Sequence, residues 1–158
     1  MTFQYNYIKK EASFGLPIKN QVSGGTHITF EIILKKGKNY IALRRLNGIR
    51  NHNCPIGNYL YFCHDLIIYE ENIETCVKRI VKEQTNVKVK SFRTVYLESG
   101  IRDNKNWAFV PHIIAEVDSI PKVNSEITEV IVFTKSNIPD NFAWWTKKEL
   151  KEFLDEFD

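Results

Sequence analysis

Paired cysteines are missing from this sequence. Cys54, Cys63 and Cys76 make an odd set with no CxxC spacing. A disulfide framework is therefore not expected, and reduced thiols are. His52 and His64 lie close to Cys54 and Cys63, but the spacing fits none of the usual structural zinc sites. Buried thiols and loop histidines are the plain reading. A long apolar run is also missing. No stretch approaches the ~20 apolar residues of a membrane span, and the opening MTFQYNYIKKEASFG has no signal-peptide core. A cytoplasmic protein with no membrane partner is expected. Excess charge is missing too: a net +3 is too little to argue for wrapping nucleic acid. Internal repeats and low-complexity segments do not occur.

What remains is ordinary globular material. The 158 residues, 43% apolar and 26% charged, suit a single domain with a proper core. Residues 1–26, with Pro17 and the turn-like SGG, read as an irregular lead-in with room for one short strand. From 27 onward the pattern is clear. HITFEIILKK alternates, KKGK supplies a hairpin turn, and NYIALRRL returns as a second strand. NGIRNHNCPIGN at 47–58 reads as a loop. YLYFCHDLII is strand-like.

The apolar period then lengthens. Ile73, Val77, Ile80, Val81 and Val87 predict a helix over 72–85. Asn72 suits its N-cap, Glu74 sits where the helix dipole favours an anion, and Asn86 suits a left-handed stop. VKSFRTVYLES, NWAFVPHIIAEVD and TEVIVFTK follow as strands. In TKKELKEFLDEF, Thr146 and Glu149 have capping-box spacing, and Leu150, Phe153, Leu154 and Phe157 share one face. Strands, helix, strands, helix predict an α/β layer sandwich on a mixed sheet.

On the 72–85 helix, Cys76, Ile80 and Gln84 form one line, Arg79 and Glu83 its neighbour, and Ile73, Val77 and Val81 a third, suited to the sheet. Carboxylates on the first two lines would suit Mg²⁺, a hard cation that shares substrate phosphates. Residues 63–89, CHDLIIYEENIETCVKRIVKEQTNVKV, resemble the Nudix box of the Nudix (MutT-like) hydrolase superfamily, G-x5-E-x7-R-E-U-x-E-E-x-G-U, with U aliphatic. The flanking strands and the C-terminal helix also fall where Nudix domains have them. The resemblance implies a Nudix-like α/β/α sandwich over 27–158.

It also implies roles. Glu71 takes the first glutamate, Arg79 the arginine, Val81 and Val87 the aliphatic positions, and Glu83 the first of the paired glutamates. Asp65 and Asn86 replace the two glycines. Ile80 and Gln84 replace two glutamates that in the family commonly bind metal or act as the base. Isoleucine cannot bind Mg²⁺, and glutamine offers one neutral carbonyl. Glu83 is left as the carboxylate ligand and catalytic candidate, with Glu71 nearby. Glu71 and Arg79 also read as a structural pair shaping the loop, and Glu83 as an i, i+4 partner of Arg79. Carboxylates elsewhere, at Glu98, Asp103, Glu126 or Glu129, would have to make up the shortage.

Lys35, Lys36, Lys38, Arg44, Arg45 and Arg50 read mainly as solvated hairpin surface. Strand alternation points one of Arg44 and Arg45 inward, where an arginine fork would suit a diphosphate. His64 is a further candidate phosphate donor. Trp107, Trp144 and Trp145 read as core or cleft wall.

Three function classes follow. One is a weak or inactive Nudix domain that binds a nucleotide or other phosphorylated small molecule. The second is an active hydrolase of a nucleoside diphosphate derivative, using Mg²⁺ or Mn²⁺ held by Glu83 and relocated carboxylates. The third is an interaction module. A homodimer stays open in each.

Overall fold

The computed structural model describes residues 26–45, 58–101 and 105–158. The lead-in at 1–25, most of the 47–58 loop with His52 and Cys54, Arg50 and Asp103 lie outside them. The elements are β1 (Thr26–Lys36), β2 (Asn39–Arg45), β3 (Leu60–Tyr61), β4 (Cys63–Leu66), α1 (Ile73–Thr85), β5 (Val89–Ile101), β6 (Trp107–Val117), β7 (Ile127–Phe133) and α2 (Lys147–Phe157).

One mixed seven-stranded sheet organises them, in the order β3-β2-β1-β6-β5, with β4 on β1 and β7 on β2. β1 and β2 pair near their turn, from Leu34↔Ile41 to Lys36↔Asn39. They then diverge. The predicted strand at 59–68 enters this fork in two pieces: β3 pairs with β2 and β4 pairs with β1. Phe62 is the break between them. β1 and β6 run parallel; the other strand pairs are antiparallel.

Helices cover both faces of the sheet. On one face Phe30, Ile32, Leu34, Ile41 and Ile113 pack against Cys76, Val77, Ile80 and Val81 of α1. On the other Ile33, Tyr40, Ala42, Phe62 and Ile114 pack against Leu150, Phe153 and Leu154 of α2. Covering both faces explains why Ile32, Ile33 and Leu34 are all buried. The sandwich is thus α/β/α. Among the described residues no helix is long and apolar enough to cross a membrane.

Helix ends follow local chemistry. The Asn72 side chain accepts from the Thr75 N–H, and Asn86 stops α1 in the left-handed region at φ 59°. Thr146 and Glu149 form the reciprocal capping box of α2. The far end of α2 is clasped by Asp158. Its carboxylate accepts from the Tyr40 hydroxyl at 2.6 Å, from Arg93 at 2.7 Å and from Lys35.

Burial alone would raise the Asp158 carboxyl, but these donors outweigh it and hold it at about 2, below the ordinary 3.8. A lowered folded-state value contributes stability above pH ~4 that is lost as the pH falls towards 2. Asp158→Asn is expected to cost roughly 2 kcal/mol at neutral pH, and to flatten the acid limb of the stability curve between pH ~4 and ~2. Denaturant melts across that range check both; an unchanged acid limb would mean the clasp does not hold α2.

Candidate functional site

Three strand registers put one polar row across the sheet. Glu31 on β1 lies opposite His64 on β4 and beside His112 on β6, and His112 lies opposite Tyr96 on β5. Side chains at register partners share a face. Glu31 has the parity of Ile33, and His112 that of Ile114, so the row points towards α2. It forms the floor of a cleft of about 960 Å³, walled by Trp144, Trp145 and α2.

Glu31 is 4% exposed. Its Oε1 accepts from Trp145 Nε1 at 2.6 Å, and its Oε2 lies 3.3 Å from His64 Nδ1. Burial by itself would raise this carboxyl, but the bond and charge of His64 and the Trp145 bond hold it below the ordinary value. An ionised carboxylate only accepts, so His64 Nδ1 carries the proton and donates. The His64 ring also packs on Trp144, centroids 4.8 Å apart.

The His64 backbone is fixed from the opposite face of the sheet. Gln84 on α1 accepts from the His64 N–H at 3.2 Å and donates to its carbonyl at 2.8 Å. His112 sits within 5.5–5.7 Å, centroid to centroid, of Tyr96, Trp145 and Phe153. Its Nε2 meets the Glu98 carboxylate at 3.1 Å.

The residues predicted as a site fall into three places. His64 and Glu98 line the cleft. Arg44 and Arg45 lie at the end of β2. Arg45 is the inward one, buried and 3.2 Å from Glu126, while Arg44 holds Glu129 at 2.6 Å and the Asn58 carbonyl. Glu71, Arg79 and Glu83 belong to α1 and the loop before it. Arg79 grips Glu71 at 2.6 and 2.9 Å and reaches the Leu66 carbonyl, while Glu71 also accepts from the Ile68 N–H. The Arg79 bond pulls the Glu71 carboxyl down to about 2. Glu83 lies outside this clasp, largely exposed and 3.4 Å from Arg79.

Val77 and Val81 meet the sheet as expected, both fully buried, but Ile73 at the start of their line is 46% exposed, and the Cys76–Ile80–Gln84 line is turned inward beside them. Ile80 is fully buried among core side chains and Gln84 is 8% exposed. Burial pushes the Cys63 and Cys76 thiols up to about 12, which suits inert core cysteines.

Could this helix hold Mg²⁺? Its two buried positions are occupied by an aliphatic side chain and by an amide already bonded on both sides, and Glu71 is saturated by Arg79. Among the described residues no three His, Cys, Asp or Glu side chains converge as a metal site. The donor set of the helix does not fit the cation. Glu31, His112 and Tyr96 were not among the residues predicted as a site, whereas Trp145, read as core or cleft wall, does line the cleft. The signal of Glu31 and His112 was faint: isolated polar residues inside the otherwise apolar strands β1 and β6.

Restoring the two glutamates should therefore not restore a metal site. Ile80→Glu puts a carboxylate in the core, and Gln84→Glu removes the donor to the His64 carbonyl. The double variant is expected to lose roughly 4 kcal/mol, or about 10 °C in melting temperature. Thermal melts with and without Mg²⁺ test this. A variant as stable as the parent, and stabilised further by Mg²⁺, would show that the line is accessible.

No family model matches the chain, and no curated protein matches it in sequence. Its fold has many counterparts among solved structures. A MutT NUDIX hydrolase from Burkholderia pseudomallei superposes with a TM-score of 0.63 at 12% identity, covering 80% of this chain and 96% of that one. A MutT protein from Methanosarcina mazei Go1 gives 0.63 at 15% identity, covering 85% and 94%. A NUDIX hydrolase from Nitrosomonas europaea gives 0.60 at 16% identity, covering 82% and 70%. Likeness over 80–85% of the chain, at 12–16% identity, speaks to architecture: this chain has the Nudix fold.

Proposed function

We propose that this protein binds a phosphorylated small molecule, such as a nucleoside diphosphate derivative, in the cleft beneath α2, and that it lacks efficient Mg²⁺-dependent hydrolysis centred on α1. The observation that carries the reading is the pair of hydrogen bonds between the Gln84 amide and the His64 backbone. It commits the residue in a metal-ligand position to holding a strand. Mg²⁺ would supply charge neutralisation at a phosphoryl oxygen and an activated water, if it were bound. Losing two carboxylate ligands from its usual helix costs several kcal/mol of that stabilisation, and each ~1.4 kcal/mol is tenfold in rate.

Binding needs less. A cleft of about 960 Å³ is large enough for a nucleotide-sized ligand. Its floor is rigid, since His64 is held through both backbone and ring, and Trp145 through Glu31. A preformed floor reduces the ordering cost of association. Glu126 and Glu129, the carboxylates expected to help hold a metal, are engaged by Arg45 and Arg44 and do not line this cleft. The Mg²⁺- or Mn²⁺-dependent hydrolase is thus the weaker reading.

Calorimetry against a panel of nucleoside diphosphate derivatives, with phosphate release measured in parallel, tests the proposal. Saturable binding with turnover at least ~10³-fold below an ordinary enzyme of about 10 s⁻¹ is expected, with or without Mg²⁺. Brisk Mg²⁺-dependent release, abolished by Glu83→Ala, would overturn it.

A further inference from the structure

β5 forms one edge of the sheet. Among the described residues it pairs with β6 alone. It runs for 13 residues without a proline, against seven in β7 on the other side of the sheet. None of its residues is buried. Tyr96 is 47% exposed, Leu97 54% and Ile101 68%. A long, exposed edge strand carrying apolar side chains is a template for pairing with another chain.

The faces of β5 show which strand would fit it. Phe92 packs on the α1-side core, and Thr94 lies opposite Ile113 of that core. Arg93 between them reaches Asp158 at the end of α2. The strand therefore alternates up to Thr94. A register shift between Thr94 and Tyr96 then breaks the alternation. Val95 packs on the α2-side core, and the Tyr96 ring lies 6.5 and 5.8 Å from those of Phe153 and Phe157, so two successive side chains face α2. Beyond them Glu98 faces α2, where it meets His112, and alternation turns Leu97 and Ser99 to the α1 side.

Residues directly opposite in an antiparallel pair share a face. When a second copy of β5 is laid antiparallel to the first, one register keeps like faces together across the bulge: the one centred between Val95 and Tyr96. It sets Phe92 opposite the partner's Ser99, Arg93 opposite the partner's Glu98, Thr94 opposite the partner's Leu97 and Val95 opposite the partner's Tyr96. Unlike charges thus meet at both ends of the paired segment. Arg93 also holds Asp158 and Glu98 also meets His112, but a guanidinium donates, and a carboxylate accepts, several bonds at once. From these we infer that two copies of this chain associate through β5, about a two-fold axis between Val95 and Tyr96, into one continuous sheet. Such an interface is self-complementary and closes at two copies. Tyr96 and Glu98 also line the cleft, so the partner's strand would border each cleft on its β5 side. The inference does not depend on what the cleft binds.

Light scattering and sedimentation of the intact chain test this. A particle of twice 18.5 kDa is expected at about 100 μM, dissociating on dilution. Arg93→Glu, which sets a carboxylate opposite the partner's Glu98, is expected to weaken association at least about tenfold. Arg93→Glu combined with Glu98→Arg is expected to restore it. A second measurement is independent of these charges. Thr94→Cys with Leu97→Cys places two thiols ~10 Å apart within one strand, too far to bridge, but directly opposite each other between copies. Mild oxidation should then yield a covalent dimer that reductant releases, with the parent chain as control for its own cysteines.

A monomer at about 100 μM overturns the inference, and is the result expected if residues 1–25 of the same chain or a different protein take this edge. So does a dimer indifferent to Arg93→Glu, or one that the combined charge swap fails to restore although the variant melts like the parent. Where the charge variants do not fold, the cysteine pair decides: a disulfide-linked dimer supports the register, and a dimer that stays unlinked overturns it.

Discussion

The grip of Gln84 on the backbone of His64 ties α1 to β4 and sets the strand that carries the cleft's histidine. A primary amide suits the task because it carries a donor and an acceptor on one flat group. It meets the N–H and the C=O of one residue together. A carboxylate could serve only the N–H. Each bond contributes about 1 kcal/mol net, but leaving either backbone group unpaired in this buried setting would cost 1–3 kcal/mol more. β4 is four residues long and enters a fork between two diverging strands. A strand that short has little ladder to hold it, so a side-chain clamp from the helix behind it carries disproportionate weight.

The clamp continues through the sheet. The His64 ring emerges on the α2 side, donates to Glu31 and packs on Trp144, and Glu31 in turn accepts from Trp145. Helix, strand, carboxylate and roof form one polar chain crossing the sandwich. Glu31 lies at its centre, and the partners around it outweigh the desolvation that would otherwise raise its carboxyl. The two other conspicuous carboxylates are used differently. Glu71 and Asp158 are both pulled to about 2, each by cationic donors, and each ties a loop or terminus to the body.

How much of this was legible beforehand differs by element. The helix at 72–85 and the α2 capping box were written in local chemistry, in Asn72, Asn86, Thr146 and Glu149, and local chemistry is what a sequence carries most directly. The β1–β2 hairpin and the strands β5 to β7 were legible from alternation and turn residues. The break at Phe62 was not. Which edge each half of that segment joins depends on how β1 and β2 diverge, a long-range matter. The breadth of the buried face of α1 was not legible for a related reason. Helical periodicity gives lines of residues but not how many of them the sheet will cover, and here the Cys76–Ile80–Gln84 line is buried beside Val77 and Val81. The polar row of the cleft was least accessible. His64, Glu31 and His112 become neighbours only through the registers of β4 and β6 on β1, and no short window contains them.

Ile80 and Gln84 stand where the resemblance expects two glutamates, and in this fold they serve packing and tethering. Neither position would take a carboxylate readily. The space around Ile80 is filled by apolar neighbours, and the polar partners of Gln84 are a matched donor and acceptor.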